Sequence, residues 1–125
     1  MKKLARITCL LMALAIITTA LPASAAAPRR YYFVGAVLGH PYMIDMRLGI
    51  QYAQEKLGVE VVTVGPQAWD MVAQAEALEQ TIARRPAGIV IPVWDATVVP
   101  GIKRAMKAGI PVVTVETTVP GSGAM

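Results

Sequence analysis

The chain has 125 residues, of which 12 are basic and 8 acidic, for a formal charge of +4. Lys2, Lys3 and Arg6 lie in the first few residues, and without them nine basic residues face eight acidic ones. So near neutrality there is no electrostatic case for a nucleic-acid partner, and one histidine with one cysteine argues against a transition-metal cluster.

Residues 1–25 read as a secretory signal peptide. A positive start precedes an apolar run over residues 7–21, and "PASA" at 22–25 supplies the small-x-small pattern of a cleavage site. The run, at about 15 residues, falls short of the roughly 20 that span a bilayer. Cleavage is expected after Ala25, with Ala27 as the alternative site, so export to the periplasm or beyond is expected without membrane insertion afterwards. Cys9 leaves with the leader, and the 100 residues that follow hold no cysteine for a disulfide.

Residues 31–38 are apolar without strict alternation, as in a strand buried on both faces of a parallel sheet. "GHPY" at 39–42 breaks the run. Met43, Met46, Ile50, Ala53 and Leu57 then recur at spacings of three and four, one face of a helix, and Gly58 stands where a left-handed cap is wanted. Residues 59–64 are rich in valine and predict a second strand. After the loop at 65–69, Asp70 is a good N-cap for a helix with the stripe Met71, Ala75, Leu78 and Ile82, which Pro86 follows. Residues 88–91 form the third strand. Asp95 or Thr97 starts a third helix that turns Val99, Ile102, Ala105 and Met106 inward. Gly109 and Pro111 end it, and residues 112–115 are the fourth strand. Residues 117–125 show no clear element.

The order β-α-β-α-β-α-β with short connections predicts an α/β fold: an open parallel sheet of repeated βα units with right-handed crossovers. Ligands of such sheets collect beyond the carboxyl ends of the strands. Those ends carry His40 and Tyr42, then Trp69, then Trp94 and Asp95, then Glu116 and Thr117. Flat aromatic rings suit the C–H faces of a sugar. Carboxylates suit its hydroxyls, because charge-assisted hydrogen bonds are the stronger ones. Plainer readings stand beside these. Asp95 caps the third helix, Trp94 plugs the core, Trp69 staples a helix entry, and His40 is a turn residue. Glu116, directly after a buried strand, is the hardest to reduce to a structural role.

Catalytic patterns are missing. "GAVLG" at 35–39 lacks the third glycine of a dinucleotide fingerprint. There is no phosphate loop, and Ser122, the one serine after the leader, stands on no nucleophile elbow. No enzymatic activity, cofactor or metal is expected.

The stretches "VGAVLGHPYMIDMRLGIQYAQEKLGVEVV" and "AGIVIPVWDA", followed by "IKRAMKAGIPVVTVE", resemble type I periplasmic sugar-binding proteins over essentially the whole mature segment. The resemblance implies two lobes joined by crossing strands, with residues 26–125 forming part of the N-terminal lobe. It implies a solute-binding component that hands a sugar or polyol to the membrane permease of an ATP-driven importer. It places Tyr42 at an aromatic that stacks on the sugar, His40 where asparagine is common, and Met43 where a second aromatic often lies. Glu116 matches the usual aspartate after the fourth strand, Thr117 a neighbour that is often arginine, and Trp94 and Asp95 a loop bordering the cleft. A chemosensory receptor of the same fold and a small secreted α/β enzyme are the alternatives. A repressor's sensor domain is disfavoured, because no DNA-binding helix pair precedes residue 31 and the chain carries a leader.

Overall fold

A computed structural model describes residues 29–117 and 119–125; the expected leader lies outside them. Eight elements follow one another. These are strand β1 (Arg30–Val34), helix α1 (Tyr42–Leu57), β2 (Glu60–Val64), α2 (Met71–Ala83), β3 (Gly88–Pro92), a 3-10 turn (Ala96–Val98), α3 (Val99–Lys107) and β4 (Val112–Val115). All strand pairs are parallel, in the order β2-β1-β3-β4.

Strand order and crossover handedness together decide where the helices go. The chain steps from β1 outward to β2, then crosses back over β1 to β3 and on to β4. With right-handed crossovers the reversal puts α1 on one face of the sheet and α2 with α3 on the other. The core divides accordingly. Val34, Ile89, Ile91 and Val112 pack with Leu78, Ile102 and Ala105 on the two-helix face. Phe33, Leu38 and Met43, with Met46, Ile50, Val61, Val90 and Val115 around them, make the one-helix face. Among the described residues α1 is the only helix on that side, and Val113 at the sheet's outer strand stays 40% exposed.

Local chemistry accounts for the boundaries. Gly58 ends α1 with a left-handed φ of 62° and donates its N–H to the Gln54 carbonyl. Asp70 caps α2, its carboxylate accepting from the N–H of Ala73 at 2.9 Å. Gly109 closes the turn after α3 at φ 78°.

Several boundaries and faces differ from expectation. β1 ends at Val34 rather than at residue 38, because the chain turns off to run beside the β2 loop. Leu38 N–H reaches the Pro66 carbonyl at 2.8 Å, and Gly39 N–H the Gln67 carbonyl at 2.9 Å. Leu57, expected on the apolar face of α1, is mostly exposed, and Met106 at the end of α3 is partly so. Val98 and Gly101 are buried in that region instead. The tail is organised, with Ser122 buried and Val119 and Ala124 packed on the core. Met125 donates to the Val112 carbonyl and accepts from Thr114 N–H, the two bonds a parallel neighbour of β4 would make.

Candidate functional site

The strand order reverses between β1 and β3, so their carboxyl ends diverge into two loops with a crevice between them. That switch point is where open α/β sheets bind ligands. Four segments meet there: residues 35–41 after β1, 65–70 after β2, 93–95 after β3 and 116–117 after β4. Backbone bonds weld the first two together, including Asp70 N–H to the Ala36 carbonyl at 3.2 Å. The last two are joined by the Thr117 hydroxyl, which donates to the Val93 carbonyl.

Gln74 holds this end of the sheet from below. Its side chain is fully buried, and its Nε2 donates to the Val34 carbonyl at 3.1 Å and the Pro92 carbonyl at 2.9 Å. One amide thereby ties the last residues of β1 and β3 across the switch point, while its Oε1 has no hydrogen-bond partner. The sequence reading passes over Gln74 because glutamine on a helix reads as solvated. The available signal is its spacing, three residues after Met71 and four before Leu78 on the apolar stripe.

Across the rim, the Tyr42 hydroxyl donates to Glu116 Oε1. Tyr42 opens α1, and Glu116 follows β4 in a tight turn closed by Thr117 N–H to the Val115 carbonyl at 2.9 Å. Glu116 adopts φ 69°, a conformation that burdens any residue with a Cβ. Such strain is maintained only where the surroundings over-determine it, and it clusters at functional sites. The bond to Glu116 is the main cause that raises the Tyr42 phenol above its ordinary value, with partial desolvation and the nearby negative charge acting in the same direction.

The remaining expected site residues divide. His40 uses Nδ1 to accept from Tyr42 N–H at 3.2 Å, so it caps the first turn of α1 beside the rim. Asp95 spends one oxygen on Thr97 N–H at 2.7 Å, which is the helix-start role weighed for it, and it stays half-exposed. Met43 corrects the expectation: it is fully buried between Phe33 and Leu38 and does not reach the rim surface. Trp94 is half-buried, and Trp69 lies against it with ring centroids 4.8 Å apart and planes tilted by 30°. The depressions elsewhere on the molecule have different chemistry. One of about 600 Å³, lined by Arg30, Tyr32, Glu60, Arg84 and Arg85, sits at the opposite, amino end of the sheet. Among the described residues no group of His, Cys, Asp and Glu is arranged to hold a metal ion.

The rim therefore offers an aromatic hydroxyl paired with a strained carboxylate, a tilted indole pair in contact, and a second carboxylate with one oxygen uncommitted by its cap. Residues 31–125 match a family profile described as a periplasmic binding protein domain. No curated protein matches significantly. Among solved structures, an arabinose-binding protein from Geobacillus stearothermophilus is 34% identical at a TM-score of 0.73, covering 78% of this chain and 34% of its own. A sugar-binding protein of a sugar ABC transporter from Bacillus halodurans is 33% identical at 0.72, covering 77% and 33%. An ABC-transporter solute-binding protein from Agrobacterium vitis, bound with alpha-D-tagatopyranose, is 28% identical at 0.68, covering 72% and 30%. The chain thus spans about a third of the length of these solved relatives, and the expected fold is the observed one.

Proposed function

Because the chain belongs to the periplasmic binding protein domain family, a family of solute-binding rather than catalytic proteins, we propose that it forms part of an exported solute-binding protein. Its ligand is a sugar or sugar-like polyol, which it captures for the membrane permease of an ATP-driven importer. Residues 1–25 direct export, and residues 26–125 are part of the N-terminal lobe, which closes on the ligand with a second lobe.

The observation that carries this reading is the pairing of Tyr42 with Glu116 at the switch point. Tyr42 orients the carboxylate through Oε1, and Oε2 takes a ligand hydroxyl. The phenol ring lies where it can pack against a C–H face, and Asp95 and the indoles border the same opening. A carboxylate and aromatic faces converging on one crevice match the two surfaces of a carbohydrate, hydroxyl edge and apolar face. Binding transmits closure to the permease and requires no chemistry on the ligand.

The test is a calorimetric and NMR titration of the full-length protein against a panel of pentoses, hexoses and polyols. Saturable binding of a member of that panel, weakened by Glu116→Ala, is the expected result. Failure of every sugar and polyol, with tight binding of an amino acid or peptide instead, would overturn the ligand class.

A further inference from the structure

Trp69 precedes the cap of α2, the position from which a hydrophobic staple would reach the fourth helical residue. That residue is Gln74, whose amide is committed to the strand carbonyls. Trp69 packs on Trp94 instead, and it is nevertheless 60% exposed. The rings are tilted by 30° with centroids 4.8 Å apart, so Trp94 backs the Trp69 indole while most of Trp69 stays open to water. Both rings stand on immobilised backbone. The Trp69 loop is bonded to the segment after β1 at three points, and the residue before Trp94 accepts from Thr117. A large apolar ring, backed by a second indole and largely uncovered beside a ligand crevice, is an unfilled contact surface.

We propose that Trp69 contacts the ligand, that Trp94 is the positioning residue behind it, and that the pair selects a sugar in its six-membered ring form over the corresponding open-chain polyol. This rests on the sugar-binding reading given above. The selection follows from shape. A pyranose presents a fixed face of C–H groups that covers an indole at once. An alditol of the same carbons has no lasting face and must freeze several torsions to make one, a cost that reduces its affinity. Of the two roles the sequence offers it, rim aromatic and helix staple, Trp69 takes the first, with Trp94 supporting it from the half-buried side.

Both tryptophans of these 125 residues are in this pair, so their indole Nε1–H resonances, identified in the full-length protein by their loss in Trp69→Phe and Trp94→Phe, report on it directly. The experiment titrates matched ring and open-chain partners, D-xylose with xylitol and D-galactose with galactitol, against wild type, Trp69→Ala and Trp69→Phe. In the pair that binds, the ring sugar should bind about tenfold more tightly, the scale of one apolar ring face removed from water. It should also shift both indole signals. Trp69→Ala should lose about tenfold for the ring sugar and little for the alditol, erasing the preference. Trp69→Phe, which keeps a stacked ring and guards against a folding defect in the alanine variant, should retain part of it. An unchanged preference in Trp69→Ala overturns the platform and leaves the sugar-binding reading standing. An alditol bound as tightly as its ring partner by wild type overturns the selection. Absence of binding to any sugar or polyol overturns both readings together.

Discussion

Gly65→Ala should be among the most damaging single-methyl changes in this molecule, and its cost follows from two independent features. Gly65 follows β2 at φ 136°, a region where a side chain is strained, at about 1–3 kcal/mol. The added Cβ would also overlap the Gly35 carbonyl oxygen and lie 2.9 Å from its carbon. Both are backbone atoms of the segment leaving β1, so no side chain can swing away; either the β1 or the β2 loop must move, at a further cost of about 1–3 kcal/mol. The sum, about 4 kcal/mol, should lower the melting temperature by about 15–30 °C for a domain of this size. Two other glycines calibrate the measurement. Gly58 has a left-handed φ of 62° with open space around it, so Gly58→Ala isolates the backbone term at about 1–2 kcal/mol. Gly49 is exposed within α1 with nothing near its would-be Cβ, so Gly49→Ala should stabilise by about 0.5–1 kcal/mol. Urea and thermal melts followed by circular dichroism rank the three. Equal costs for Gly65→Ala and Gly58→Ala would refute the close approach of the two site loops.

Three further outcomes test the rim. Glu116→Ala should weaken sugar binding by about 1.5–3 kcal/mol in titration calorimetry, the worth of a hydrogen bond to a charged group, while Glu76→Ala on the exposed side of α2 changes little. Glu116→Gly should fold about 1 kcal/mol more stably than Glu116→Ala in denaturant melts, because glycine accepts φ 69° without the Cβ penalty; the reverse order would remove the strained turn. The Tyr42 phenol, raised chiefly by its bond to Glu116, contributes stability that is full below the ordinary tyrosine pKa and is lost as pH rises through the folded value. An ultraviolet titration, with Tyr42→Phe as the reference that assigns the signal, should therefore show the Tyr42 phenol ionising late and moving earlier in Glu116→Gln.

Much of the fold was legible because its signals are local. The valine-rich runs, the three-and-four spacing on the helices, the Asp70 cap, Gly58 and Pro111 all act within a turn or two of themselves, and each marks the element or boundary expected of it. Right-handed crossovers then restrict how parallel strands can be joined. Periodicity cannot say which strands are neighbours, so the order β2-β1-β3-β4 and the switch point it creates came from the sheet. The early end of β1 has the same origin, since residues 35–38 are as apolar as a strand but bond to the β2 loop. Tyr42 and Glu116 are 74 positions apart, and neither sequence neighbourhood reveals that one hydroxyl meets the other's carboxylate. Met43 shows the converse: position in a pattern put it at the rim, and packing between Phe33 and Leu38 buried it. Gln74 and the Trp69–Trp94 contact escape the sequence because helix-start and helix-face rules treat each residue alone. What covers an indole, or receives an amide, is set by chain segments brought together only when the sheet closes around them.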